Sequence, residues 1–339
     1  MKKKLIIHGG LYKTGSSAIQ TLLDDSRDTL LQKGILFPLN GTLFHPGIGR
    51  RHYYVRETLF DTPKKQPNVF RDIYTELENS GCHTAVLSYE NFLSPGKFSS
   101  GVAEYLRATF DVYFVFYLRS PVHHFNTKYK EWIRRQNFKG EPGDFVLAKA
   151  GYLDLRCMLD PWIQNFGADS VTCRKFDKSA FPGRRIEFDF LEYLSSIIGE
   201  QLHDLDVRES LVNPSFTNEQ ILVSLLRNRY FGGHKSLTYA QKVQYGEFIQ
   251  GLSCPASRGL ILSKYAAHAV LDLSKSSLDY IASQFGVEIA TPDLSSLTFD
   301  ESFQCVNRRA DMLRALNVAL GKDRSTSHTL RAWLNKLLK

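Results

Sequence analysis

The chain is 339 residues long, 43% hydrophobic and 12% aromatic, and it carries a formal charge of +8. That length and apolar content support a large buried core and exclude wholesale disorder. The positive charge favours polyanionic ligands, so nucleic acid, anionic lipid and phosphorylated cofactors are all admitted at this level.

The opening Met-Lys-Lys-Lys leads into Leu5-Ile6-Ile7, but the apolar run stops at His8 and is too short for a signal peptide. No later segment has about 18 uninterrupted apolar residues, so no membrane span is expected. The five cysteines, Cys82, Cys157, Cys173, Cys254 and Cys305, are scattered with no CxxC pair. They fit a reducing, cytoplasmic setting better than a disulfide framework or structural zinc.

Leu5 to Ile7 read as a buried strand, with His8 at its end as a packed, hydrogen-bonded histidine or a loop-shaping residue and not a catalyst. A loop holding Gly9, Gly10, Lys13 and Gly15 follows. A helix is expected to open at Ser16-Ser17 and to run on through Ile19, Leu22, Leu23, Leu30 and Leu31. Such a passage aims unpaired N–H groups and the positive end of a helix at one point, which suits an anion. Gly10 and Gly15 have the spacing of a Walker A loop, yet Ser16 stands where that loop needs its lysine, and Lys13 comes two residues before the second glycine.

Lys33-Gly34 stops the first helix, and Ile35 to Pro38 read as a short second strand or extended run. The segment with Phe44, His45, Arg50, Arg51, His52, Tyr53 and Tyr54 has poor periodicity and reads as loop with a helical turn. Val69 to Leu77 suit a helix, Thr84 to Ser88 a third strand followed at once by Glu90, and Ser99 to Thr109 another helix. Val112 to Leu118 are continuously apolar, as a parallel strand buried on both faces would be, and they deliver Arg119. Ser120 and Pro121 then serve as N-cap and first residue of a helix whose buried face is Val122, Phe125, Tyr129, Trp132 and Ile133. Thr127 falls with His123, Lys130 and Arg134 on a stripe roughly 100° away, so that Arg119 and Thr127 can converge on one anion.

Tyr152 to Phe166 read as helix, Ser170 to Phe176 as strand and Phe188 to Ile198 as helix. A capping box from Thr217 to Gln220 starts one more helix through Leu222, Leu225 and Leu226. Beyond about residue 230 helix is expected near Ala256 to Leu271, Ser277 to Phe285 and Phe303 to Leu320. The alternation over the first part of the chain predicts an α/β class protein: three layers, α/β/α, around a central parallel sheet with a P-loop-like anion loop. One domain is expected, with a core over 1–229 and a mostly helical extension over 230–339 packed back on it.

Lys13-Thr14-Gly15-Ser16-Ser17, directly after a first strand, resembles the 5′-phosphosulfate loop of sulfotransferases that use 3′-phosphoadenosine 5′-phosphosulfate (PAPS). Arg119-Ser120-Pro121, with Thr127 and then Tyr129 on the following helix, resembles their 3′-phosphate segment, Arg-x-Pro followed by serine and tyrosine. Thr127 replaces the usual serine and keeps a hydroxyl. The two motifs are independent and stand in the family's order. The likeness to bacterial members extends more loosely through Asp154 to Gly167, Arg174 to Asp177 and Asn213-Pro214-Ser215, to about Gln220.

The resemblance implies sulfuryl transfer from PAPS to an acceptor hydroxyl, with release of 3′-phosphoadenosine 5′-phosphate (PAP) and no metal. It assigns the donor to Gly10, Lys13, Thr14, Gly15, Ser16, Ser17, Arg119 and Thr127, with Lys13 stabilising the departing phosphate. The base would be Glu90, placed as in carbohydrate-sulfating members and needing burial to raise its pKa, or His52, whose ordinary value of about 6.5 suits the task. The implied acceptor is a glycan or small glycoside, with no nucleic acid partner, and the oligomeric state is left open. Arg50, Arg51, Arg134, Arg135 and Lys139 either bind an anionic acceptor or form a solvated basic face. Asn213 and Ser215 either reach the donor or shape the turn before Thr217. Two other readings are a P-loop nucleotide kinase or NTPase, disfavoured by the lysine position and the absence of a Walker B aspartate, and a noncatalytic nucleotide-binding protein.

Overall fold

The computed structural model describes residues 2–45, 49–202, 205–207, 216–230, 249 and 259–300. Asn213-Pro214-Ser215, Cys254, Cys305 and the helix expected over Phe303 to Leu320 lie outside the described residues. Residue contacts part the chain into two compact units. The first comprises Met1–Arg119, Gly151–Asn213 and Ser274–Ala290, and the second Ser120–Ala150, Pro214–Leu273 and Thr291–Lys339.

In the first unit, chain order gives β1 (Lys3–Gly10), α1 (Ser16–Asp25), α2 (Arg27–Gln32), β2 (Ile35–Leu36), β3 (Leu43–His45), β4 (Gly49–Arg51), α3 (Tyr53–Leu59), α4 (Val69–Asn79), β5 (Thr84–Ser88), α5 (Ser100–Thr109) and β6 (Phe110–Leu118). Five strands form one parallel sheet in the order β2, β5, β1, β6 and β7, the last being Val171–Lys175. Side chains alternate across each strand, so the apolar runs of β1, β5 and β6 must be covered twice. On one face Leu5, Ile7, Leu87, Phe114 and Phe116 pack with Leu59, Phe70, Ile73 and Leu106 of α3, α4 and α5 and with Trp162 of α8 (Leu155–Phe166). On the other, Ile6, Val86, Val115 and Tyr117 pack with Ile19, Leu23 and Leu30 of α1 and α2, and with Phe190 and Leu194 of α9 (Ile186–Ile198). The expected three layers and central parallel sheet are present in this unit.

Three local expectations change. The single helix expected through Leu31 breaks at Ser26, which ends α1 and begins α2 with φ −95° and ψ 13°. No apolar residue from Asp24 to Thr29 holds that stretch on the sheet, and the break lets Leu30 return to the core. Within the segment over 44–54, expected as loop with a helical turn or more, the antiparallel pair β3 and β4 forms, and the helical part is the start of α3 at Tyr53. Strands of three residues alternate too briefly to be read from periodicity. The two helices expected near 256–271 and 277–285 are one, α11 (Lys264–Phe285), numbered after those of the second unit.

A polar tie crosses from the sheet to α9. The Tyr117 hydroxyl donates to Asp189 Oδ1 at 2.6 Å, and Arg174 donates to the same carboxylate through Nε (2.8 Å) and Nη2 (2.6 Å). Replacing Asp189 with alanine strands the buried phenol and the guanidinium together, so urea unfolding should show a loss of about 3 kcal/mol, and one below about 1 kcal/mol would refute this account.

The second unit contains α6 (Pro121–Gln136), α7 (Pro142–Lys149) and α10 (Asn218–Tyr230). Val122, Phe125, Tyr129 and Ile133 are buried as their spacing predicts, whereas Trp132, expected on the same face, is half-buried. The Thr217 box forms: Thr217 N donates to Gln220 Oε1 (2.9 Å) and Gln220 N to Thr217 Oγ1 (3.3 Å). Asn228 Nδ2 ties α10 to the end of α6 by donating to Ile133 O (2.6 Å) and Phe138 O (3.2 Å). Sequence reading missed α7, although Glu141, Pro142 and Asp144 supply a capping box and a proline at the first turn.

Candidate functional site

The carboxyl ends of β5, β1 and β6 lie side by side, because the three strands are parallel neighbours. In open α/β sheets that edge is where ligands bind. The loop from Leu11 to Gly15 leaves it from the central strand. Leu11 N donates to Tyr117 O at 3.0 Å, and the Thr14 hydroxyl donates to Leu11 O at 2.7 Å, closing the loop on itself. Lys13 and Gly15 both take left-handed backbone, with φ of 59° and 78°. Ala18 N and Ile19 N both donate to Gly15 O, at 2.9 and 3.2 Å. The amides of Ser16 and Ser17 therefore precede the first intrahelical acceptor and point out of the helix start. The side chains of Lys13 and Ser17 are exposed beside them.

The two glycines are sterically required. A Cβ on Gly10 would stand 2.8 Å from Tyr117 O, and one on Gly15 2.8 Å from Ile186 Cγ2. Gly15→Ala adds this clash to an unfavourable φ, and should cost about 1–2 kcal/mol in thermal unfolding while displacing the loop amides. A variant of wild-type stability and ligand affinity would refute this.

Arg119 closes the site from β6. Its Nη1 donates to Lys13 O at 3.0 Å, and its guanidinium carbon lies 5.8 Å from the centre of the Phe176 ring. Partial burial lowers the Arg119 pKa. Gly10, Lys13, Gly15, Ser16, Ser17 and Arg119 are thus brought together. Thr14 has a different part from the one expected: it is 1% exposed, and its hydroxyl proton is spent on Leu11, so its side chain shapes the loop. Thr127 belongs to the second unit, where its hydroxyl donates to His123 O at 2.9 Å.

Of the two candidate bases, Glu90 stands at this edge. It opens a single 3₁₀ turn, Glu90–Phe92, just after β5, and Tyr89 N donates to His8 O of the neighbouring β1 at 3.1 Å. Gln20 Nε2 donates to Glu90 Oε2 at 3.5 Å, and Arg51 Nη1 lies 3.9 Å from Oε1. The Glu90 carboxylate stays 22% exposed.

His52 is corrected. It is wholly buried against Phe37, and its Nδ1 accepts from Ser88 N at 3.1 Å. Burial pulls its pKa down to about 3. A ring with its acceptor nitrogen taken and no access to solvent cannot collect a proton from a substrate. His8 is the packed histidine expected: Nδ1 lies 2.8 Å from Ser88 Oγ, and burial lowers its pKa to about 3 as well.

Four of the five expected basic residues approach carboxylates: Arg50 pairs with Asp24 at 2.8 Å, Arg51 lies 3.9 Å from Glu90, and Arg134 and Arg135 share Glu131, at 3.5 and 2.8 Å, whereas Lys139 is exposed. Arg56, outside that group, pairs with Glu57 at 3.0 Å. Sequence reading missed Gln20 and Asp24. They lie one helical turn apart on α1, and their partners come from loops remote in sequence. Among the described residues no group of His, Cys, Asp and Glu could hold a metal ion, and no helix is long and apolar enough to cross a membrane.

No family model matches the chain, and no curated protein matches it. Among solved structures it is similar to a sulfotransferase from Alicyclobacillus acidocaldarius, at 14% identity and a TM-score of 0.37 over 71% of this chain and 93% of that one. It is also similar to the sulfotransferase domain from the curacin biosynthetic pathway, at 11% identity and a TM-score of 0.39 over 86% of this chain and 99% of that one. Likenesses this distant carry no argument about activity.

Proposed function

We propose that the chain is a PAPS-dependent sulfotransferase that moves a sulfuryl group to an acceptor hydroxyl, most naturally one on a glycan or small glycoside. The observation that supports this best is the loop itself. An exposed lysine stands at the centre of a left-handed turn, beside the first amides of α1, and is held by an arginine from the adjacent strand end. A Walker A lysine would occupy position 16, where this chain has a buried serine.

The residues fit an anionic donor. Gly10 and Gly15 keep the cradle open, the Ser16 and Ser17 amides face outward, and Lys13 adds a full charge. PAPS supplies an activated sulfuryl group on a phosphate leaving group. Lys13 and the loop amides would stabilise the negative charge that grows on the bridging oxygen as the acceptor oxygen bonds to sulfur. Arg119 would fix the loop and offer its remaining N–H groups to phosphate. Glu90 would accept the proton of the acceptor hydroxyl.

Isothermal titration tests the reading. PAP should bind in the micromolar range or tighter without magnesium, as expected of a site built from charge-assisted contacts, and ATP with magnesium should bind at least about tenfold more weakly. Preference for ATP with magnesium would instead support a nucleotide kinase or NTPase.

A further inference from the structure

The distribution of paired and unpaired charge at the sheet edge is uneven. On the donor side neither Lys13 nor Arg119 has a carboxylate partner among the described residues, and Arg119 donates to a backbone oxygen. On the side of the β3–β4 hairpin each arginine has a carboxylate: Arg50 with Asp24, Arg51 with Glu90 and Arg56 with Glu57. The Arg50 pair is made twice, since its backbone N also donates to Asp24 Oδ2 at 3.2 Å. Gln20 adds a neutral donor to Glu90. Beside these pairs the Phe44 ring is exposed, with the Arg50 guanidinium 5.5 Å from its centre.

We infer that the acceptor is an uncharged hydroxyl compound, of the kind a neutral sugar provides, and not a uronate or sulfated polyanion. This rests on the proposed donor chemistry and adds the acceptor's charge class. An anionic acceptor would meet Arg50, Arg51 and Arg56 with their charge already offset by Asp24, Glu90 and Glu57, so it would gain little net attraction at their remaining N–H groups and would be repelled by the three carboxylates. A neutral sugar meets no such repulsion. Its hydroxyls can donate to Glu90, and its C–H face can lie on an exposed aromatic ring such as Phe44. Lys13 and Arg119, which have no carboxylate partner among the described residues, lie at the loop, where the anionic donor is proposed to sit.

The test uses the full chain, ³⁵S-labelled PAPS, and matched neutral and uronate oligosaccharides of the gluco, galacto and N-acetylglucosamine series. The expected result is transfer to a neutral compound with kcat/KM at least about tenfold above its uronate counterpart, unchanged between low and physiological salt because no long-range charge attraction contributes. Asp24→Asn, which frees Arg50, should narrow that preference by raising turnover of the uronate series. Equal or better turnover of uronates by the wild type, or no transfer to any neutral compound, overturns the inference. In those cases PAP binding still upholds the donor assignment, whereas absence of PAP binding removes both.

Discussion

Replacing Lys13 with alanine is expected to lower the rate of sulfuryl transfer by about 10²–10³, the effect of removing one preorganised donor from a developing oxyanion. PAP affinity should fall far less, within about tenfold, because the loop amides and Arg119 remain. The asymmetry follows from the geometry. The Lys13 ammonium is exposed and its carbonyl, not its side chain, is what Arg119 grips. Truncating the side chain therefore leaves the loop's fastening intact. Arg119→Ala removes that fastening and should weaken PAP binding more than it lowers the rate of bound donor. Single-turnover kinetics with saturating PAPS, set beside titration with PAP, separates the two effects. Wild-type turnover by Lys13→Ala would show that the ammonium does not meet the leaving group.

Stability should fall steeply in mild acid because of His8 and His52. Each is wholly buried, and burial lowers each pKa from 6.5 to about 3. Above pH 6.5 both rings are neutral folded or unfolded, and the native state has its full stability. As pH falls from 6.5 toward 3 the unfolded chain takes up protons that the folded chain refuses, so the balance moves toward unfolding. At pH 5 each histidine should remove about 2 kcal/mol, together about 4 kcal/mol, a large part of the margin of an ordinary domain. Urea titrations at pH 7.5, 6.0 and 5.0 measure it. His52→Gln should flatten the dependence by about half, whatever it does to stability at pH 7.5, because one of two equal proton uptakes is gone. The same slope in wild type and variant would refute the assignment.

Much of the sheet was legible because its strands advertise themselves. Val112 to Leu118 can only be a strand covered on both faces, and Arg119 follows from where that strand must end. The loop was legible for a related reason: its glycines and its lysine are adjacent in sequence, so their chemistry is local. The capping box at Thr217 is local too. What could not be read depends on encounters between distant segments. His52 has an ordinary composition around it, and only its burial against Phe37 and Ser88 turns a plausible base into a neutral packing residue. The arginines at 50 and 51 look like a basic patch until Asp24 and Glu90 are brought beside them. Thr14 looks like a ligand hydroxyl until the loop bends back onto Leu11.

The left-handed backbone at Lys13 restricts what evolution or engineering can place there. A β-branched side chain is penalised at that φ before any question of chemistry arises, whereas glycine and asparagine are accommodated readily. Arginine keeps the charge but would have to carry a broader head group on the same strained backbone. The residue at this position is thus selected twice, by conformation and by charge. Lys13→Gly becomes the cleanest chemical knockout: it erases the ammonium while relaxing the turn, so added alkylammonium ions could restore turnover in a cradle whose shape has not changed.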